Sequence, residues 1–253
     1  MARKRLVVGN WKMYVEKAEE ARKFALSLRR KARGLRGVEV WLAPSHTLLP
    51  VVAKILESSP VKVGAQTISP QSEPQHTGDV SGMMLKDAGA LFTLVGHSER
   101  RGAGESDTMV HEALEQAAHA GLTPILCVGE REREAEGEHF AFIEHQLASA
   151  LRGLPPQALK KLIVAYEPVW AIGRHAVDAM KPSEVQEMVI FIRKVLSETL
   201  DRRTALRIPI LYGGSVEPQN VLDLITEGGT NGFLVGHASA NVDSFFEILK
   251  ACK

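Results

Sequence analysis

Leu162-Ile163-Val164-Ala165-Tyr166-Glu167-Pro168-Val169-Trp170-Ala171-Ile172-Gly173 is the stretch on which the architecture turns. The run 162–166 is short, apolar and without polar alternation, which reads as a strand buried on both faces. It ends on a carboxylate, Glu167. Pro168 then stops regular pairing, because it has no N–H and restricts the residue before it. A short segment with one large apolar anchor, Trp170, closes on Gly173. The segment fits a base at a strand tip beneath a cover, and equally a surface glutamate in a tight loop.

Outward from this strand the same unit recurs. Strands are expected at 5–9, 38–43, 61–65, 91–95, 123–128, 162–166, 208–212 and 232–235. Helices are expected at 16–33, 46–58 (Ser45 as N-cap), 81–89, 106–120, 131–152, 182–201, 217–227 and 241–251. Glu130, Arg131, Glu132, Arg133, Glu134, Glu136 and Glu138 read as the solvated face of the fifth helix. Gln66–Gly78 is a long polar loop, a length that signals function or contact. Alternating strands and helices imply a parallel sheet. Eight units without a linker fit one α/β domain over residues 1–253, a (β/α)8 barrel with its active site at the strands' C-terminal ends. An open doubly wound sheet is the alternative, but Gly9-Asn10-Trp11-Lys12 is no dinucleotide fingerprint.

The 253 residues hold 31 Lys+Arg and 30 Asp+Glu, a balance that argues against nucleic acid or membrane as general partners. No apolar run approaches bilayer-crossing length, and no N-terminal stretch has the pattern of a secretory leader. Two cysteines, Cys127 and Cys252, make neither a disulfide framework nor a metal cluster. A cytoplasmic location is expected.

In such a barrel, Asn10 and Lys12 follow strand one, His97 and Glu99 strand four, Glu167 strand six, Ser215 strand seven and Gly236 strand eight. Each alone is weak, since a lone histidine is more often structural and a lone lysine serves solubility. Together on one face they suit proton abstraction beside a carbonyl. Glu167 takes the proton, while His97 and Lys12 stabilise the charge that develops on oxygen. Lys12 supplies the cation, so no metal or cofactor is expected. Gly213-Gly214-Ser215 and Gly236 allow close backbone approach to a phosphate, with the helix after strand eight aiming its N–H groups at the anion.

Gly9-Asn10-Trp11-Lys12, Val95-Gly96-His97-Ser98-Glu99-Arg100-Arg101, Cys127-Val128-Gly129-Glu130, Ala165–Gly173 and Tyr212-Gly213-Gly214-Ser215-Val216 occur in one order along the chain. In this the chain resembles the triosephosphate isomerase family. The resemblance implies a TIM barrel that isomerises dihydroxyacetone phosphate and D-glyceraldehyde 3-phosphate in glycolysis and gluconeogenesis. It implies Glu167 as base, His97 as neutral electrophile, Lys12 and Asn10 as substrate-binding and polarising groups, and Glu99 behind the Lys12–His97 corner. Pro168, Val169, Trp170, Ala171, Ile172 and Gly173 would form the lid. Gly173, Ser215, Gly236 and His237 would meet the phosphate, with Cys127 and Glu130 supporting from behind.

The chain departs from the family pattern at four places. Arg174-His175-Ala176 replaces the usual lid hinge, His237 the second of two glycines, and Gly102-Ala103-Gly104 a longer and bulkier segment. In the loop Gln66–Asp79, His76 and Asp79 replace an aromatic residue and a glutamate. The family's long loop inserts into a neighbouring subunit, so a homodimer through Gln66–Asp79 is expected, with a repacked interface. Rival readings are an isomerase of a larger sugar phosphate, such as a tetrulose phosphate, and a non-catalytic barrel that binds sugar phosphates.

Overall fold

The computed structural model describes residues 4–133, 136–173 and 179–253. Eight parallel strands, β1 (Arg5–Asn10), β2 (Val38–Ala43), β3 (Val61–Val63), β4 (Phe92–Val95), β5 (Thr123–Val128), β6 (Ile163–Tyr166), β7 (Ile210–Tyr212) and β8 (Gly232–Val235), pair in the order β3-β2-β1-β8-β7-β6-β5-β4. The remaining seam, β3 to β4, is joined by a parallel bridge from Ala65 to Thr93. Backbone bonds from Leu91 N to Val63 O (2.8 Å) and Leu94 N to Ala65 O (3.0 Å) complete it. The expected barrel is therefore present.

Strand alternation sorts the side chains into two cores. Leu6, Val8, Trp41, Ala43, Phe92, Leu94, Ile125, Cys127, Ile163, Ala165, Leu211 and Leu234 fill the barrel as one cluster. Residues of the opposite parity, among them Val7, Val40, Leu126, Val164, Tyr166, Tyr212 and Phe233, face the helices in another. Gly64 has no side chain because a Cβ there would lie 2.4 Å from the Phe92 ring inside the barrel.

The helical layer comprises α1 (Ala18–Ala32), α2 (Leu49–Leu56), α3 (Gly82–Asp87), α4 (Ser98–Gly102), α5 (Asp107–His119), α6 (Glu138–Leu151), α7 (Pro156–Lys160), α8 (Pro182–Thr199), α9 (Arg202–Ala205), α10 (Val221–Glu227) and α11 (Val242–Ala251). Ser81 and Ser106 cap α3 and α5 through their hydroxyls, accepting from Met84 N and Met109 N. Ser45 is not the cap of α2. Its hydroxyl meets Thr47 and its carbonyl takes the Leu48 and Leu49 N–H groups, so a turn precedes the helix. The charged helix expected from residue 131 begins only at Glu138, behind Gly137 in a left-handed conformation (φ 81°). α4, α7 and α9 have four or five residues each, too few to show a helical period. After β8 comes a 3-10 turn, His237–Ala240, and only then α11, capped by Asn241. The first backbone N–H groups beyond β8 therefore belong to that turn and not to α11.

Candidate active site

The inward parity of the barrel continues past the strand ends. On β6 it runs Ile163, Ala165, Glu167; on β1 Leu6, Val8, Asn10; on β5 and β7 it reaches Gly129 and Gly213. Glu167 thus stands on the barrel axis as the next layer above the apolar core, 2 % exposed. The two strands flanking β6 carry glycine at this level for a steric reason. A Cβ on Gly129 would lie 1.9 Å from the Glu167 carbonyl oxygen, and one on Gly213 would lie 2.9 Å from Glu167 Cγ.

Gly96, with φ 68°, breaks the alternation of β4 and turns the next residue, His97, inward. His97 Nδ1 accepts the Glu99 N–H (3.2 Å) at the start of α4. That bond places the proton of a neutral ring on Nε2, and Nε2 lies 3.1 Å from Glu167 Oε1. The other carboxylate oxygen accepts the Ser98 N–H at 3.0 Å. Both oxygens of the carboxylate are therefore held.

Lys12 has a positive φ of 46°. For a side chain of this size the left-handed region costs about 1–2 kcal/mol, and two side chains hold the residue there. Asn10 Oδ1 accepts the Lys12 N–H at 3.0 Å. Gln66 Nε2 donates to Lys12 O and to Ala43 O, both at 3.0 Å. The ammonium reaches Glu99 Oε1 at 2.7 Å. Burial works to raise the Glu99 pKa, but the hydrogen bond and charge of Lys12, with His97, hold it below the ordinary glutamate value.

A cavity of about 580 Å³ joins these groups. Asn10, Lys12, His97 and Glu167 line it together with Gly173, Ser215, Gly236 and His237. Gly236 lies beside the lysine, since a Cβ there would come 3.6 Å from Lys12 Cε. His237 is exposed, and its ring meets that of Tyr14 edge to face, centroids 5.1 Å apart. Asn220 shapes the loop after β7 by donating to Ser215 O and accepting from Glu217 N.

Beyond Glu167 the chain forms a 3-10 turn, Val169–Ala171. Its anchor is Trp170, whose Nε1 donates to Glu130 Oε1 at 2.8 Å, and Tyr166 OH donates to the same oxygen at 2.9 Å. Glu130 is thus a buried partner of the turn after Glu167, not part of a solvated helical face. Burial and then Glu130 drive the Tyr166 phenol far above its ordinary pKa, so it stays a donor. Cys127 is fully buried inside the barrel, with its thiol raised first by burial and then by the Glu167 charge. Arg174, His175 and Ala176 lie outside the described residues.

The arrangement brings together Asn10, Lys12, His97, Glu167, Gly173, Ser215, Gly236 and His237, and places Glu99 on Lys12. Sequence reasoning missed Gln66, Asn220 and Tyr14 as parts of the site. Only Gln66 had a signal, as the first residue of the long loop.

A (β/α)8 barrel that gathers a buried carboxylate, a hydrogen-bonded imidazole and a lysine at the C-terminal ends of its strands is an enzyme of the proton-transferring kind. The chain belongs to the triosephosphate isomerase family, whose model matches residues 5–252. It is 41 % identical over 250 residues to the triosephosphate isomerase of Thermus thermophilus, covering 98 % of each chain. Against that of Dictyoglomus turgidum it is 36 % identical over 251 residues, covering 98 % of this chain and all of the relative. It superposes on the crystal structure of triosephosphate isomerase from Bartonella henselae with a TM-score of 0.84 at 31 % identity, covering 98 % of each. The chain is accordingly an isomerase on a TIM barrel.

Proposed function

We propose that the chain interconverts dihydroxyacetone phosphate and D-glyceraldehyde 3-phosphate through an enediolate, with Glu167 as the base. The supporting observation is the 3.1 Å contact between Glu167 Oε1 and His97 Nε2 on the cavity that Lys12 also lines. Glu167 removes a proton from C1 and returns it to C2, moving between carbons within reach of one carboxylate. The His97 Nε2–H and the Lys12 ammonium face the two oxygens and stabilise the charge that develops there, and His97 Nε2 carries the hydroxyl proton from the oxygen on C1 to the oxygen on C2. Asn10 holds Lys12 in place and borders the substrate. Gly173, Ser215, Gly236 and His237 receive the phosphate, and Pro168–Gly173 covers the intermediate against water. Glu99, Cys127 and Glu130 support the site.

Glu167→Gln keeps the shape and removes the base. Turnover of glyceraldehyde 3-phosphate in a coupled assay is expected to fall by about 10²–10⁴-fold. Turnover within a factor of two of the parent would remove Glu167 from the mechanism.

The same reading places the enzyme in the cytoplasm, in glycolysis and gluconeogenesis, as a homodimer. The free buried thiols of Cys127 and Cys252 suit a reducing compartment, and no described helix is long and apolar enough to cross a membrane. For the dimer, Met83 and Met84 are exposed by 60 % and 61 % and adjoin residues of the loop Gln66–Asp79. Apolar side chains grouped on a surface mark an interface. Sedimentation at micromolar concentration is expected to give twice the 27.7 kDa chain mass. A monomer with full turnover would overturn the dimer and leave the chemistry standing.

A further inference from the structure

The end of the barrel opposite Glu167 holds a cavity of about 540 Å³. Its apolar wall includes Leu6, Trp41 and Ile163, which belong to the cluster inside the barrel. Lys4, Lys160 and Arg207 also line it, contributed by the segments before β1, β6 and β7. None of these three cations makes an ion pair among the described residues.

The acids on the same wall are already committed. Glu39 lies 3.5 Å from Lys62, whose ammonium stands over the Trp41 ring. Asp201 accepts the Thr204 N–H at 3.0 Å as the cap of α9. The fourth cation, Lys161, donates to Gly121 O. The cavity lining therefore carries more positive than negative charge, beside one aromatic residue, Trp41.

Trp41 supplies an independent sign of a ligand. The residue is 5 % exposed, and its Nε1–H is buried without an acceptor. A buried unpaired donor costs about 1–3 kcal/mol, and a bound acceptor would recover that. Small-molecule sites have volumes of roughly 300–1,000 Å³, mostly apolar walls and a few polar groups. This cavity falls in that volume range, and its wall is part apolar and part charged.

We propose that the N-terminal mouth of the barrel is a second ligand site, for a small anion with a flat aromatic body. The aromatic part rests on Leu6 and Ile163 beside the edge of Trp41, whose ring already packs against Phe92 and under the Lys62 ammonium, with an acceptor toward Trp41 Nε1. The anionic group meets Lys160 and Arg207, with Lys4 at the edge. The site shares no residue with the isomerase cavity and does not depend on the proposed reaction.

The test is calorimetric titration of the whole protein with naphthalene-1-sulfonate, with and without saturating triose phosphate. One binding site that triose phosphate leaves untouched is expected. Lys160→Ala/Arg207→Ala should weaken it by about tenfold or more, as loss of charge-assisted contacts. Its isomerase turnover should equal that of the parent. Trp41→Phe should weaken binding about threefold with an unchanged far-ultraviolet spectrum. Removing two charges from α1, Arg22→Ala/Arg30→Ala, should leave binding as it was. The proposal is overturned by competition from triose phosphate, by equal weakening in the α1 variant, by full binding in Lys160→Ala/Arg207→Ala, or by no binding up to about 10 mM.

Discussion

Lys12 and Glu99 show how one exposed carboxylate can serve a buried site. Glu99 lies outside the cavity lining, yet its oxygen sits 2.7 Å from the Lys12 ammonium and its N–H is taken by His97 Nδ1. It therefore sets the aim of one group and the tautomer of the other. Its pKa is lowered in the fold, so the unfolded chain binds the proton more readily. The stabilisation is then full above the ordinary glutamate pKa of about 4.3 and is lost as pH falls through the lowered native value. In Glu99→Gln the backbone N–H to His97 survives and only the ion pair goes. Urea unfolding should show the parent ahead of the variant by a constant margin from pH 6 to 8, and the margin should close toward pH 3. At neutral pH the variant should also show a raised KM with a smaller change in kcat. A margin that persists at pH 3 would mean that Glu99 contributes by packing and not by charge.

At the scale of elements, the segment proposed as the lid depends on one side chain from the neighbouring strand's end. The 3-10 turn Val169–Ala171 is too short to persist alone, and Glu130 fixes it by accepting from Trp170 while also holding Tyr166. Trp170→Phe keeps an aromatic ring and deletes that donor. The loss of one hydrogen bond to a buried carboxyl is worth about 1–2 kcal/mol, so kcat/KM should fall about tenfold with an unchanged circular dichroism spectrum. Unaltered kcat/KM would show that the bond does not carry lid geometry. Glu130 also marks where local reading stopped working. Its charged neighbours through Glu138 matched a solvated helix, and only the fold shows that the helix waits for Gly137 while Glu130 turns under Trp170. The strands were legible because burial on both faces makes them continuous apolar runs. The short helices α4, α7 and α9 were not, because their form is set by the segments they join.

Across the whole molecule, the order of strands and the polar residue at each C-terminal end were enough to infer the barrel and one face of it. Glu167, His97 and Lys12 follow their strands directly, so parity and a single glycine turn at Gly96 bring them inward. Gln66, Asn220 and Tyr14 were hidden because their partners, Lys12, Ser215 and His237, come from other units or across a loop. The same closed architecture governs the thiols. Cys127 lies within the barrel, and Cys252 ends α11 with 1 % exposure. Burial pushes the Cys252 thiol up to about 12, and burial also raises the Cys127 thiol well above its usual value. The thiolate is the reactive form, so neither residue offers a nucleophile near neutrality, and both are shut off from reagent. An aromatic disulfide reagent at pH 8 should label neither thiol in the folded protein and both in guanidinium. With denaturant added stepwise, the two should become reactive together if the barrel opens as one cooperative unit. Earlier labelling of Cys252 would show that α11 leaves the barrel first, and that the closure joining β1 to β8 is the weaker part of the fold.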